Sequence, residues 1–333
     1  MKKFVCVNWF GKTPRTGGEL VFSIISDAIS EACDLQVKYI YDEMHSTTLN
    51  SKVPSYIKLL FETIRSTYKR NIFSQKLVKS DFEVYNDSLS GTFIYIQPRP
   101  KSPELSVNLF LFYKSVIDFL LRGGRSNVKV AIYASNFAKS NYRVRKAEIE
   151  KVIYPPFLNN ELHSAPKKEN LVVTLSRIDP SKNLKVLGKV SNVTNIKFVL
   201  IGYLEERNKA YLKKLRDKFP NLLIIPNATE EIKNSYLNKA KVYLHTGLGE
   251  AFPISKLEAM SFGVIPLVPF SGGAKEGLPD KCVYLNYDDL IFKLKKLIES
   301  YTVEDFDYFR NLSSIYTIER FKEQIKQLFI DKI

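Results

Sequence analysis

The sequence is poor in cysteine, in histidine and in long apolar segments. Its three cysteines show no metal-ligand spacing and, being odd in number, cannot all pair with one another. We therefore expect reduced thiols and a cytosolic protein rather than a disulfide scaffold. The three histidines form no metal-binding pattern either. No Asp-X-Asp sequence follows a predicted strand. The adjacent aspartates Asp288 and Asp289 lie at the predicted start of a helix.

No segment approaches the roughly 20 consecutive apolar residues that a membrane-spanning helix requires. The N-terminal residues carry two lysines followed by an apolar run. Gly11 and Lys12 interrupt this run before it reaches the length of the apolar region of a signal peptide. We therefore expect a cytoplasmic protein that meets a membrane only as a peripheral protein on its inner face.

The balance of charge is strongly basic. The chain of 333 residues has 50 lysines and arginines against 35 aspartates and glutamates, a net charge of +15. Such an excess suits a nucleic acid, an anionic membrane surface or phosphorylated ligands. The cations are scattered over both halves without the stacking aromatic signature of RNA-binding strands, so nucleic acid is not the expected partner. A basic nucleic-acid-binding protein remains the alternative from a different functional class.

The densest basic segment is residues 51–80, where apolar side chains also recur at helical spacing. A basic amphipathic helix can lie on anionic lipid, so this segment predicts contact with a membrane surface. The alternative is a helix that packs its apolar side on a sheet and leaves its cations in water.

Short β-branched and aromatic runs alternate with amphipathic segments along the chain, with four predicted strands in the first half and five in the second. Such alternation is typical of parallel sheets covered by helices on both faces. Because the pattern restarts after an interruption rich in proline and asparagine, we predict two doubly wound α/β domains. The predicted parts are an N-terminal domain (1–155), a linker (156–168), a C-terminal domain (169–302) and C-terminal helices (303–333).

Doubly wound sheets bind ligands at the carboxyl ends of their strands, so residues that directly follow strands are the candidates for a site. Arg177 follows a predicted strand, and Lys182 lies five residues later at the start of a helix. A guanidinium and an ammonium placed there would bind a diphosphate, although both are also common as ordinary surface cations. Gly202, at the end of the next strand, predicts a tight turn. His245 ends a later strand and either lines the site or packs at the strand end.

The segment GEAFPISKLEAMSFG, residues 249–263, carries Glu250 in a glycine loop and Glu258 eight positions later in a predicted helix. Pro253 suits the first turn of that helix, and Gly263 suits its end. Both carboxylates are expected above the sheet, where they would accept hydrogen bonds from hydroxyl pairs of a ribose or a hexose. Two solvated glutamates that stand eight apart by chance are the alternative.

This segment resembles retaining glycosyltransferase family 4, whose hallmark is two glutamates separated by seven residues, as Glu250 and Glu258 are. The resemblance extends over LSRIDPSKNL, SGGAKEGL, VIYPPF and ASNFAK and, near the N-terminus, over GGEL. It is dense in the second half of the chain and thin in the first. The motifs look most like those of mannosyltransferases that extend lipid-linked oligosaccharides.

The resemblance implies a GT-B fold, in which two Rossmann-like domains face a central cleft. It also implies that the C-terminal domain holds most of the nucleotide sugar and that the helices of residues 303–333 cross back to the N-terminal domain. It implies transfer of a hexose from a UDP- or GDP-linked sugar to a glycan or lipid-linked acceptor, with retention at the anomeric carbon and without a metal ion or other cofactor. By position, Glu258 would hold the ribose hydroxyls and Glu250 the transferred sugar. Arg177 and Lys182 would hold the diphosphate and, with Glu250, carry catalysis. The further donor-binding residues implied are Gly17, Gly18, Gly202, His245, Gly249, Ala251, Phe252 and Pro253.

The chain departs from the family pattern in two places. Gln97, on the acceptor and sugar side, stands where relatives have a histidine that helps to position the sugar. Glutamine can donate a hydrogen bond but cannot carry a proton charge. Pro253 stands where many relatives have glycine. A catalytically impaired GT-B protein that serves as a subunit is therefore the alternative within the family.

Overall fold

The protein is represented by a computed structural model that describes part of the chain. The described residues are 3–8, 21, 23–25, 27–28, 30–31, 36–41, 82–86, 93–96, 130–141, 147, 149–157 and 167–330. The predictions for Gly17, Gly18, Gln97 and the basic segment 51–80 lie outside these residues.

The first half of the chain forms a parallel sheet of six described strands. The strands are β1 (Lys3–Asn8), β2 (Gln36–Tyr41), β3 (Phe82–Asn86), β4 (Phe93–Ile96), β5 (Val130–Tyr133) and β6 (Ile149–Val152). Their order across the sheet is β2-β1-β3-β4-β5-β6, and every neighbouring pair is parallel. The order reverses beside β1, as in other doubly wound sheets.

The second half forms another parallel sheet of six strands. These are β7 (Glu169–Leu175), β8 (Lys197–Gly202), β9 (Leu222–Pro226), β10 (Ala240–Leu244), β11 (Ile265–Pro269) and β12 (Val283–Tyr284). Their order is β12-β11-β10-β7-β8-β9. Successive strands run outwards from β7 in one direction and from β10 in the other, so the switch point lies between β7 and β10. Ligands of doubly wound sheets bind in the crevice at such a point.

Helices connect these strands and follow the second sheet. They are α1 (Asn136–Asn141), α2 (Leu184–Val193), α3 (Lys209–Lys218), α4 (Glu230–Lys239), α5 (Ile254–Ser261), α6 (Tyr287–Glu299), α7 (Val303–Ser314) and α8 (Ile318–Ile330). The described residues between 21 and 31 are helical as well. Side-chain caps set several starts: Thr229 caps α4, Asn286 caps α6, and Thr302 forms a capping box with Asp305 at α7.

The central strands of the second sheet are apolar on both faces because helices cover both. Val172 and Val242 pack into the larger core, whereas Val173 and Tyr243, one residue later on the same two strands, pack into a separate core on the opposite face. This burial explains why the strands read as continuous apolar runs rather than as alternating patterns.

The last helix contacts the first half of the chain. The ammonium groups of Lys322 and Lys326 lie 2.7 and 2.8 Å from the carboxylate oxygens of Glu31 and lower the pKa of that carboxyl to about 2. Arg320 Nη2 donates to the backbone oxygen of Tyr154 at 2.7 Å. No helix in the described part of the chain is long and apolar enough to cross a membrane.

Candidate active site

Two loops meet at the switch point of the second sheet, one after β7 and one after β10. Thr174 at the end of β7 donates from its hydroxyl to the backbone oxygen of Leu244 at 2.7 Å. Thr246 in the second loop donates to the backbone oxygen of Lys182 in the first at 2.8 Å. These bonds hold the two predicted halves of the donor site together.

The Lys182–Glu250 ion pair is at the centre of this site. Lys182 Nζ lies 2.5 Å from Glu250 Oε1, and the two side chains are only 14% and 13% exposed. Lys182 ends a short 3₁₀ turn, Pro180–Lys182, which Asp179 caps by accepting a hydrogen bond from the backbone N–H of Ser181 at 2.8 Å. Burial alone would raise the pKa of Glu250, but the charge and hydrogen bond of Lys182, together with His245 and Arg177, outweigh it and lower that pKa to about 2. Glu250 is therefore ionised at neutral pH.

The backbone of Glu250 is held by glycines on both sides. A methyl group on Gly247 would collide with the Glu250 carboxylate. Gly249 has φ 65°, a conformation that favours glycine, and its N–H donates to Ser271 Oγ at 3.1 Å. The N–H of Gly273 donates to the backbone oxygen of Glu250 at 2.8 Å. The glycines of this loop therefore let Glu250 approach Lys182 closely.

His245 is buried directly behind Glu250. Its Nε2 lies 3.7 Å from Glu250 Oε2 and has no hydrogen-bond partner among the described residues. Its Nδ1 lies 3.3 Å from the hydroxyl of Tyr243, which in turn lies 2.7 Å from Ser255 Oγ. Burial lowers the pKa of His245, so the imidazole is neutral at neutral pH. His245, one of the predicted site residues, therefore lies beside the carboxylate of Glu250.

The second glutamate, Glu258, lies in α5 and pairs with Lys233 of α4. Lys233 Nζ also lies 2.5 Å from Glu230 Oε2. Burial raises the pKa of Glu258, and Lys233 opposes that rise. Sequence reasoning missed Lys233, because its spacing of three from Glu230 is that of an ordinary ion pair on a helix surface. Pro253 stands one residue before the first helical residue of α5, at the N-cap position rather than inside the first turn.

Arg177 lies on the more open side of the site. Its Nη1 is 3.9 Å from Glu205 Oε1, whose other oxygen pairs with Arg207 Nε at 2.6 Å. The Arg177 side chain is 38% exposed, and its charge helps to lower the pKa of Glu250. A guanidinium in this position is open to an incoming anion.

Three other predicted residues have packing contacts of their own. Gly202 approaches the backbone of Ser176 so closely that a methyl group would collide with its carbonyl oxygen. Ala251 and Phe252 are both 2% exposed. The ring centroid of Phe252 lies 5.2 Å from that of Tyr154, so this side chain packs toward the first half of the chain. The donor-binding roles of these residues stay predictions.

No group of three or more histidine, cysteine, aspartate or glutamate side chains is placed to hold a metal ion within the described ranges. The charged groups at the switch point are instead two cations, Arg177 and Lys182, beside Glu250. This set is suited to binding an anion together with the hydroxyl groups attached to it.

Residues 158–301 match the family model described as glycosyl transferases group 1. The chain is similar to GDP-Man:Man(3)GlcNAc(2)-PP-Dol alpha-1,2-mannosyltransferase of Mus musculus, with 30% identity over 148 residues covering 37% of this chain and 30% of the relative. Against the Homo sapiens protein of that name, identity is 29% over 202 residues, covering 53% of this chain and 40% of the relative. The chain thus spans less than half the length of these curated relatives.

Among solved structures, the chain is similar to Anabaena Alr3699/HepE in complex with UDP and glucose. The TM-score is 0.70 at 16% sequence identity, and the comparison covers 100% of each chain. This likeness shows the fold, which is the GT-B arrangement that the sequence resemblance implied.

Proposed function

Because residues 158–301 match the glycosyl transferases group 1 family, we propose that this protein is a hexosyltransferase that uses a nucleotide-diphosphate sugar. The donor is UDP- or GDP-linked and the acceptor is a glycan or a lipid-linked glycan. Transfer retains the configuration at the anomeric carbon and needs no metal ion. The observation that carries the proposal is the Lys182–Glu250 pair, which places a buried carboxylate and an ammonium together at the switch point.

The comparisons support both donor bases. The names of the mammalian relatives specify GDP-Man as donor and an oligosaccharide on PP-Dol as acceptor. The Anabaena protein, in contrast, was crystallised in complex with UDP and glucose. The proposal therefore keeps both nucleotides and takes from the relatives a lipid-linked acceptor.

Different site residues bind different parts of the donor. The diphosphate competes with Glu250 for the ammonium of Lys182, and Arg177 supplies a second cation from the open side of the site. Once Lys182 turns toward phosphate, the Glu250 carboxylate accepts hydrogen bonds from hydroxyl groups of the transferred hexose. Glu258 accepts from the ribose hydroxyls, and its ion pair with Lys233 opposes the rise in pKa that burial causes.

The chemical step depends on how the departing diphosphate is stabilised. Negative charge develops on the phosphate oxygen as the bond to the anomeric carbon breaks. Lys182 and Arg177 stabilise that charge, and Lys182, whose side chain is only 14% exposed, acts more strongly than a cation in water would. These two cations provide the stabilisation that a metal ion provides elsewhere. Closure of the cleft between the two domains excludes water and limits donor hydrolysis.

The place of action follows from the acceptor. A lipid-linked acceptor is presented at a membrane surface, and the basic segment 51–80 is the part of the chain suited to anionic lipid. We therefore propose that the protein acts on the cytoplasmic side of a membrane as a peripheral protein.

The function is tested by offering purified protein a panel of UDP- and GDP-sugars and measuring the shift in its thermal unfolding temperature. The sugar that stabilises the protein most is then used as donor, with lipid-linked glycan acceptors, and the anomeric configuration of the product is determined by NMR. Stabilisation and transfer, unaffected by EDTA, are the expected results. Stabilisation without transfer would favour the alternative that Gln97 suggests, a catalytically impaired GT-B protein that serves as a subunit. No stabilisation by any nucleotide sugar would contradict the proposal.

A further inference from the structure

Glu276 joins the two halves of the protein through its carboxylate. Its Oε1 accepts from the backbone N–H of Phe137 at 2.7 Å, and its Oε2 accepts from the backbone N–H of Asn136 at 3.0 Å. The same Oε2 accepts from the hydroxyl of Tyr154 at 2.8 Å and from Asn136 Nδ2 at 3.3 Å. All four donors belong to residues 134–137, which join β5 to α1, include the first residues of α1 and are called here the turn after β5, or to the segment after β6. One side chain of the second half is therefore bonded to two loops of the first.

The backbone on which Glu276 stands is bonded to residues 245–253, the loop between β10 and α5 that carries Glu250 and is called here the donor loop. The N–H of Gly273 donates to the backbone oxygen of Glu250 at 2.8 Å. Lys256, a buried residue of α5, donates from Nζ to the backbone oxygens of Ala274 at 2.7 Å and Glu276 at 2.9 Å. Residues 273–276 thus lie between the first half of the chain and the helix that carries Glu258.

The packing at Gly273 shows how closely the two halves approach. A methyl group on Gly273 would meet the backbone oxygen of Ala251 on one side and Ser135 Oγ on the other. Ala251 follows Glu250 directly, and Ser135 stands two residues after the end of β5. Only a residue without a side chain fits between the donor loop and Ser135, so a displacement of the turn after β5 reaches the donor loop through Gly273.

We propose that Glu276 is a positioning residue, which fixes the turn after β5 against the donor loop and thereby holds the backbone of Glu250 in place. The proposal rests on the proposed function for its catalytic consequence and on the hydrogen bonds alone for its structural one. Glu276 contacts neither donor nor acceptor in this role. It sets how the first half of the chain meets the residues that bind the donor.

A carboxylate is suited to this role, and an amide is not. Two backbone N–H groups and a hydroxyl converge on its two oxygens, and an ionised acceptor makes each of these bonds stronger than a neutral one. In Glu276→Gln, one acceptor oxygen becomes an NH₂ group that opposes a donor of the first half. The substitution therefore breaks the connection with little change in volume.

The structural test is amide hydrogen exchange on the full chain. In Glu276→Gln we expect the amides of Asn136, Phe137 and Gly273 to exchange about tenfold faster or more, while the amides of β7 and β10 keep their wild-type rates. The matched control is Glu31→Gln, which weakens the contact of α8 with the first half at an exposed position and should leave Gly273 unchanged. Wild-type exchange at Gly273 in Glu276→Gln would overturn the proposal.

Two further measurements keep the test decisive. If Glu276→Gln does not fold, Tyr154→Phe removes one of the four bonds, and faster exchange at Phe137 and Gly273 is again expected. In transfer assays, Glu276→Gln should lower kcat about tenfold while the KM for the donor changes little, and donor hydrolysis should rise relative to transfer. Wild-type kcat and an unchanged ratio of hydrolysis to transfer would overturn the catalytic consequence. If the wild-type protein binds no nucleotide sugar, the proposed function fails, and the exchange rates still decide the role of Glu276.

Discussion

The ammonium of Lys182 lies 2.5 Å from a carboxylate oxygen of Glu250, and this pair joins the loop after β7 to the loop after β10. The two residues are 68 positions apart in the chain. The largely buried carboxylate of Glu250 therefore lies beside the ammonium of Lys182 at the switch point of a doubly wound sheet. Under the proposed function, a diphosphate that attracts Lys182 releases Glu250 for the sugar.

The stability of the Lys182–Glu250 pair can be measured by removing one partner. Lys182→Met leaves a largely buried carboxylate without its counter-ion, so we expect the free energy of unfolding at pH 7 to fall by about 3 kcal/mol. In a Glu250→Gln background the same substitution should cost much less, because no unpaired charge remains. Urea unfolding of the wild type, both single variants and the double variant measures this difference. Additive losses would show that the pair does not interact as described.

The proposed catalytic role of Glu250 predicts a loss of rate without a loss of fold. Glu250→Gln keeps the size of the side chain and removes its charge, so we expect kcat to fall by about 100-fold or more. Nucleotide binding should persist, because Lys182 and Arg177 remain. Glu299→Gln, an exposed substitution at the end of α6, is the matched control and should transfer sugar at the wild-type rate. A Glu250→Gln variant with wild-type kcat would remove Glu250 from the mechanism.

The lowered pKa of the buried His245 predicts that the free energy of unfolding falls in mild acid. Burial lowers the folded-state pKa of His245 below its ordinary value of 6.5. Between those two pKa values the unfolded chain binds more protons than the folded protein, so stability is full above pH 6.5 and falls as the pH drops below it. His245→Gln should show a weaker decrease, which urea unfolding at pH 7, 6 and 5 will measure. Parallel curves for the two proteins would mean that His245 does not cause the decrease.

The low pKa of the buried Lys256 predicts that the free energy of unfolding rises with pH above neutral pH. Burial lowers the pKa of this lysine from 10.5 to about 7, so the unfolded chain binds more protons between these values. Stability should therefore rise with pH from about 7 to 10.5, by up to about 1.4 kcal/mol for each pH unit. Lys256→Met should flatten this rise, whereas Lys189→Met, at an exposed position on α2, should not. An equally steep rise in both variants would contradict the assignment.

The fold could be predicted where strands are buried on both faces. The apolar runs that became β7, β8 and β10 are unambiguous, because helices cover both faces of the sheet. Three strands were not predicted. The pattern of β6 contains Glu150 and Lys151 at the edge of its sheet, β12 has only two residues, and β3 mixes charged and aromatic side chains. Edge strands and very short strands need less apolar sequence, so periodicity does not reveal β6 and β12. β3 lies inside its sheet, and its mixed composition alone hides it.

The site could be predicted where residues follow strands of the same sheet. Lys182 and Glu250 were expected together because the carboxyl ends of parallel strands meet at one edge. Lys233 and Glu276 were not expected, because their partners come from other elements and, for Glu276 with Asn136, from a residue 140 positions away. The contact of Phe252 with Tyr154 of the first half was not expected either, and its predicted donor-binding role stays a prediction. Contacts between domains depend on how two surfaces meet, which local patterns do not encode.

The proposed site is tested most directly by isothermal titration calorimetry of UDP and GDP with the wild type, Lys182→Ala and Lys189→Ala. Both lysines lie within the same stretch of the second half, and only Lys182 reaches Glu250. We predict that at least one nucleotide binds the wild type and Lys189→Ala equally well and binds Lys182→Ala about tenfold or more weakly. Equal binding to all three proteins, or binding to none, would contradict the assignment of a nucleotide diphosphate to this site.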